Sequence, residues 1–436
     1  MTEANHSDLL NQLEHILDSD PLIDEVGFIH PSQFDALLEE ADSPSSDKTL
    51  GSKESKANPT DSVFWSRDHK LGISTSVLLP LYGAAKHAFM EALQQYKMHN
   101  DSGEESNFLK DENASISASL SRSIVEGEVM KHSRALLLLS CDLGTAWNSR
   151  KLVLSKKQQF QLFVDELLLS SLVLSYAPKS ESAWAHRRWA IRMIAGRCSN
   201  LEEIVERESE LVEKIAEKSK MNYRAWNHRS WLVSYMSAEQ VLKELNKSRD
   251  WAGLNVADNS CFQYRARLLL RLLNSGSLKQ HDDVCTGAAV HELWKKELDW
   301  LETLIRRYVG REALWLHRRV LSLCWIKLLH GNSSSSCPRT KTDLEIYMDK
   351  ELSLCSSCSV IPDNHFEDFQ TQATLSARYI MWLIMQLPAP FGIEYQKKIE
   401  ANGLKKVLNN LSPERNFLWD TLTANILPIS SDFHTS

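Results

Sequence analysis

Asn222-Tyr223-Arg224-Ala225-Trp226-Asn227-His228-Arg229-Ser230-Trp231 is the stretch from which the fold is read. Its aromatic-x-x-Arg spacing puts Trp226 and Arg229 on one helical face, because residues three apart are neighbours on a helix surface. The same grammar returns as Trp147 with Arg150, Trp184 with Arg187, Phe262 with Arg265 and Trp315 with Arg318. The aromatic positions 147, 184, 226, 262 and 315 fall 37, 42, 36 and 53 residues apart, and the longest gap contains a polar insert at 274–289. A repeat of this period marks stacked supersecondary units.

A second register runs 18 residues before the aromatic, at Glu166, Glu208, Glu244 and Glu297, with Val129 in that place in the first unit and Glu128 beside it. Between acid and aromatic lies an apolar helical run closed by a break, such as Leu167 to Tyr176 before Ala177-Pro178. Ser182, Asn222 and Asn259 are the expected caps of the second helices. Each unit therefore reads as helix, turn, helix, and such hairpins bury their faces only by stacking. The fold expected is all-α, a right-handed α-solenoid (superhelix) of about five helix-turn-helix repeats plus helical flanks. The aromatics are expected to wedge between helices. An inward-facing Arg requires a carboxylate, since an unpaired buried charge is heavily penalised. The Glu of the same unit is the expected partner, so that Glu208 would meet Arg229, and the set is read as scaffolding; the alternative is that the His-Arg or Tyr-Arg ends of the second helices line one edge of the solenoid and present donors to a partner.

Working outward, Leu9, Leu10, Leu13, Ile16 and Leu17 give an N-terminal helical segment within 1–40. Residues 41–62, rich in Ser, Asp, Lys and Gly, read as a disordered linker. A helical flank with a polar insert follows at 63–123, the repeat array at 124–330, a flexible insert at 331–345, and a C-terminal helical cap and tail at 346–436. Cys355-Ser356-Ser357-Cys358 is read as loop, because the only other nearby thiol, Cys337, gives no recognisable zinc spacing.

With 57 acidic against 50 basic residues the net charge is −7, which disfavours nucleic acid as a partner. Eight scattered cysteines point to a reducing compartment. No run approaches membrane-spanning length, the start Met1-Thr2-Glu3-Ala4 carries no leader, and the end lacks a prenylation cysteine. A cytosolic chain is the expectation. The chain also has no glycine-rich phosphate loop, Gly-x-Ser-x-Gly elbow or paired metal-binding histidines, so a self-sufficient enzyme is not expected.

The repeat resembles the α-subunits of protein prenyltransferases, whose units carry Asn-Tyr-x-x-Trp-x-x-Arg; residues 222–229 match every defined position. The resemblance covers about 124–325. Ile23 to Ile29, Ala377 to Leu383 and Phe262 are similar to an orphan branch of that family. The resemblance implies a helical scaffold around a separate catalytic β-subunit, that of Rab geranylgeranyltransferase, forming a type III geranylgeranyltransferase that modifies a protein with a C-terminal cysteine. No cofactor would sit in this chain; zinc and geranylgeranyl diphosphate would sit on the β-subunit. In the farnesyltransferase type of α-subunit, a lysine directly before the third-repeat Asn-Tyr approaches the isoprenoid diphosphate, and here that position is Met221. Lys220, Tyr223 and Arg224 are the remaining diphosphate-contact candidates, and no residue of the chain is assigned to catalysis or metal. The competing reading is a non-catalytic α-solenoid scaffold for a trafficking or ubiquitin-ligase partner.

Overall fold

Short polar side chains start the second helix of several hairpins. In the computed structural model the Ser180 hydroxyl accepts the Ala183 N–H at 3.2 Å, the Asn222 carboxamide oxygen accepts that of Ala225 at 3.2 Å, and Asp258 accepts that of Ser260 at 2.9 Å. Asn222 is the expected cap. Ser182 and Asn259 are not the caps, because both already lie inside the first turn of their helices. The structure describes residues 3–34, 63–105, 112–157, 159–197, 200–274, 284–331, 338–363, 365–387, 389–401 and isolated positions from 403 to 417. The linker expected at 41–62 lies outside them, as does most of the tail.

The chain divides into two compact units, Met1–His228 and Arg229–Ser436, whereas repeat spacing alone draws one array over 124–330. The first unit holds α1 (Glu3–Ser19), α2 (Leu78–Glu105), α3 (Glu112–Leu139), α4 (Gly144–Lys157), α5 (Phe160–Tyr176), α6 (Glu181–Ala195), α7 (Leu201–Lys218) and the start of α8 (Tyr223–Leu232). Hairpins α3–α4, α5–α6 and α7–α8 follow one another. Helix α3 lies against α5 and α4 against α6, so first helices meet first helices and second meet second. Helix α1 packs on α2 and α3. Trp147, Trp184 and Phe89 are buried in the shared core, as an aromatic wedge requires.

One sheet interrupts the helices. Strands β1 (Glu25–Ile29), β2 (Phe64–Arg67) and β3 (Lys70–Ser74) pair in the order β1-β3-β2, with β1 parallel and β2 antiparallel to β3. Asp68 and His69 turn the β2–β3 hairpin at φ 50° and 61°. At Gly72 a Cβ would lie 2.7 Å from the tip of the Ile29 side chain, so a larger residue here would require that side chain to move. The sheet leans on the repeats through Phe28, edge-on to Tyr176 at 5.2 Å, and the Val26 N–H, which donates to Ser175 Oγ at 3.2 Å. Part of the expected helical flank is thus strand, because a parallel pairing across some forty residues leaves no local periodic signal.

The second unit holds α9 (Ala238–Leu254), α10 (Asn259–Asn274), α11 (Val284–Arg307), α12 (Glu312–Gly331), α13 (Pro338–Cys358), α14 (Glu367–Ile384) and α15 (Ala389–Ala401). Second helices again stack, α10 on α12 and α12 on α14. Helices α13 and α14 form a further hairpin where spacing alone suggests only a cap. The insert expected at 331–345 shrinks, since α12 reaches Gly331 and α13 opens at Pro338. Cys355 and Cys358 are helical and buried, not loop. The architecture is an all-α solenoid of stacked hairpins carrying one small open sheet.

Candidate functional site

Every repeat arginine is buried and meets a buried carboxylate. Arg150 grips Glu166 at 2.9 and 2.5 Å, Arg187 grips Glu208 at 2.6 and 2.6 Å, Arg265 grips Glu297 at 2.9 and 2.7 Å, and Arg318 grips Glu351 at 2.8 and 2.6 Å. Arg229 donates to Glu244 at 3.1 and 2.8 Å. Nη1 of four of them also reaches a carbonyl in the preceding first helix, that of Met130, Leu167, Leu245 or Leu298. Each of these four guanidiniums therefore ties its own hairpin to the next.

This overturns the expected pairing within a unit. Glu208 is taken by Arg187 and by His228, the latter at 3.1 Å, and Arg229 is held by Glu244. The carboxylate's own hairpin supplies a different donor, 20 residues on: His186 to Glu166 at 2.7 Å, Tyr264 to Glu244 at 2.5 Å and His317 to Glu297 at 3.2 Å. Each of these histidines also lies against the previous unit's aromatic: His186 on Trp147 at 4.5 Å, His228 on Trp184 at 4.9 Å, His317 on Phe262 at 5.3 Å. Trp315 meets Tyr379 at 5.4 Å in the same way.

The electrostatics follow from this burial. Desolvation opposes the carboxylate charge, but the guanidinium and the imidazole hydrogen bond outweigh it and hold Glu166, Glu208 and Glu297 at about 2. Desolvation lowers His186, His228 and His317 below the ordinary imidazole value, although the carboxylate pulls the other way. Each ring is then neutral and donates from Nε2, because a carboxylate only accepts.

Sequence spacing missed Glu351 and Tyr379, the acid and donor of the last hairpin, whose phenol reaches Glu351 at 2.7 Å. A longer turn stretches their separation to 28 residues, and Ala377 replaces the aromatic. The ends of the series are self-consistent. Where the first unit has Val129 for the acid it has Ser149 for the histidine, and the last, followed by a helix with no buried acid among its described residues, has Ile380 for the arginine.

The candidate contact residues lie together on one turn and helix start. Asn222 is buried; beyond capping α8, its amide donates to the Pro178 carbonyl at 2.7 Å and latches this turn to the preceding one. Met221, 64% exposed, sits at φ 54°, and Tyr223 is 61% exposed. Lys220 is exposed beside them. Arg224 Nε lies 3.2 Å from Glu181, which also accepts from Arg188 at 2.8 Å. Lys220 and Tyr223 are thus exposed at this helix start, while Glu181 already offsets Arg224. The acid Glu181 comes from another hairpin and has no signature in the local sequence.

Among the described residues no group of three His, Cys, Asp or Glu side chains is placed to hold a metal ion. Burial raises the Cys355 and Cys358 thiols, the reverse of an activated ligand. No described helix is long and apolar enough to cross a membrane.

Residues 163–194 and 205–236 match the protein prenyltransferase alpha subunit repeat. Protein prenyltransferase alpha subunit repeat-containing protein 1 of Danio rerio is 31% identical over 270 residues, covering 52% of this chain and 61% of that protein. The protein of that name from Homo sapiens is 30% identical over 235 residues, 44% of this chain and 58% of its own length. Geranylgeranyl transferase type-2 subunit alpha of Rattus norvegicus is 24% identical over 204 residues, 45% of this chain and 34% of that subunit. The chain thus spans less than two thirds of the length of these relatives.

Proposed function

We propose that this prenyltransferase α-like repeat protein is the non-zinc-binding α-type subunit of a heterodimeric, type III-like protein geranylgeranyltransferase acting in the cytosol. It scaffolds a catalytic β-subunit, that of Rab geranylgeranyltransferase, and selects proteins with a C-terminal cysteine for prenylation. The zinc ion and geranylgeranyl diphosphate would sit on the β-subunit, where zinc would activate the protein thiol to displace diphosphate from the first carbon of the prenyl chain. Similarity to geranylgeranyl transferase type-2 subunit alpha supports the subunit reading. The observation that carries it is the exposed Lys220–Tyr223 turn, tied to the preceding turn by the Asn222 latch.

In this reading the chain's own residues supply electrostatics. Lys220 and Tyr223 donate to the diphosphate, and Arg224 joins them only by leaving Glu181, since a fixed cation near the leaving group lowers the barrier. Co-expression with the Rab geranylgeranyltransferase β-subunit, size-exclusion chromatography with mass detection and a transfer assay on the shared peak test it. A 1:1 complex that transfers geranylgeranyl is expected. A chain that elutes alone would favour the second reading, a non-catalytic scaffold for a trafficking or ubiquitin-ligase partner, to which Met221 in the lysine position and the Glu181–Arg224 contact lend support.

A further inference from the structure

Helix α5, FQLFVDELLLSSLVLSY, is apolar on nearly every side. A helix of that kind is covered all round in its working state. Yet Phe160 and Leu168 are 40% and 45% exposed. A cleft of about 420 Å³ opens beside it, between α1, α3 and α5, walled by Ile23, Met130, Leu168 and Leu172. That volume lies at the lower end of the range for ligand clefts, about 300–1,000 Å³.

The rim's charges are unevenly committed. Its two bases on α3 already serve acids of α1: Lys131 meets Glu14 at 3.1 Å and Arg134 donates to Asp18. Asp165 of α5 is exposed and accepts the Gln161 amide at 3.0 Å. Asp20 leans on His69 at 3.0 Å. The mouth therefore presents negative charge around an apolar floor.

The geometry points to a docking groove for an amphipathic, basic helix of a partner protein. Apolar side chains at i and i+4 fill the cleft, and a lysine or arginine at the edge of that face meets Asp165. An anionic lipid would bring its head group to a rim already rich in carboxylates, and a second copy of this chain would oppose acid to acid. The inference is independent of the prenyltransferase reading, because it concerns the chain alone.

Selection of 16-residue random displayed peptides on the full-length chain, followed by fluorescence anisotropy with the enriched peptides, tests it. The expected winners carry apolar residues at helical spacing and at least one Lys or Arg. Leu168→Glu weakens them tenfold or more; Asp165→Lys weakens them about fivefold, and a Lys→Glu change in the peptide restores binding to that variant. Both positions are exposed, and unchanged thermal unfolding shows that the variants fold. Enriched peptides indifferent to both substitutions, or no enrichment at all, would overturn the proposal. Displacement of a bound peptide by geranylgeraniol but not by a second peptide would overturn it in favour of a lipid. A Leu168-dependent dimer in sedimentation velocity would overturn it in favour of self-association.

Discussion

Arg187 donates from Nε and Nη2 to the two oxygens of Glu208, at 2.6 Å each, so a guanidinium in the second helix of one hairpin is neutralised by the first helix of the next. Because both groups are buried, removing one leaves the other charge uncompensated. Arg187→Met is expected to destabilise by about 3–5 kcal/mol. Glu208→Gln keeps an acceptor for His228 while removing the charge. The double variant Arg187→Met/Glu208→Gln is expected to be more stable than the sum of the single losses allows, with a coupling of about 1–3 kcal/mol. Denaturant unfolding followed by tryptophan fluorescence measures this; strictly additive losses would show that the contact carries no coupling.

The same network fixes how stability changes with acid. Burial depresses His186, His228 and His317 in the folded chain, so between their folded values and the ordinary 6.5 the unfolded chain binds the extra proton. Their contribution is complete above 6.5 and is lost as pH falls. The carboxylates near 2 add a second loss as pH drops below 4.5. His132 opposes the first trend. Set between Glu14 at 2.6 Å and Glu128 at 2.9 Å, it is raised despite its burial, so its contribution is complete below 6.5 and fades as pH rises through its raised value. Three groups against one make the expected melting temperature fall from pH 7 to pH 5, and His186→Gln is expected to flatten that slope. A melting temperature that rises on acidification to pH 5 would contradict the assignment.

Which residues recur was legible in the chain; which residues meet was not. Trp184, Arg187 and Glu208 announce themselves by spacing, because each hairpin repeats the same local demands. The pairing of Arg187 forward with Glu208, not back with Glu166, is a property of stacking and leaves no mark in a single repeat. Loop length does not reveal it either, since the separation runs from 15 residues for Arg229 and Glu244 to 33 for Arg318 and Glu351. The sheet stayed hidden for a related reason: Val26 pairs with Leu71, and a short strand completed by a distant one carries little signal of its own. At the candidate site Asn222, Tyr223 and the neighbouring cations were visible, whereas the Glu181 contact that offsets Arg224 was not.

Asn222 and Tyr223 are adjacent yet answer different demands, and substitution separates them. Asn222→Ala removes a helix cap and a bond to the Pro178 carbonyl, a loss of about 1–3 kcal/mol from the two together. Tyr223→Ala, at an exposed position, is expected to leave the melting temperature within about 1 °C. In the heterodimeric transferase proposed above the order reverses: Tyr223→Ala and Lys220→Ala are expected to slow prenyl transfer at unchanged stability. Full activity of the double variant would remove these residues from diphosphate contact.

Thiol chemistry offers a check on the buried helix that carries Cys355. Burial pushes Cys261 up to about 12 and Cys355 well above its ordinary value, and a protonated, enclosed thiol is a poor nucleophile. Iodoacetamide at pH 8 is therefore expected to leave both unmodified in the native chain and to label both in urea, as read by peptide mass spectrometry. Added zinc is expected to leave the melting temperature unchanged. Rapid native labelling of Cys355 would show that α13 opens.

Met221 carries the most specific prediction, because its backbone and its side chain make separate demands. At φ 54° it occupies the left-handed region, which costs an L-residue about 1–2 kcal/mol. Its side chain, mostly exposed, gives little burial in return. Met221→Gly relieves the strain but loses about 0.5–1 kcal/mol to the greater freedom of the unfolded chain, so a small net gain in stability is expected. Met221→Val, β-branched at the same φ, is expected to lose stability. Met221→Lys leaves the backbone demand unchanged and adds a cation directly before Asn222. In the assembled enzyme it is expected to lower the KM for geranylgeranyl diphosphate more than it alters kcat, since a fixed cation beside the diphosphate acts first on binding. Unchanged kinetics with Met221→Lys, alongside the expected stability of the glycine variant, would mean that the turn is correctly built but faces away from the diphosphate.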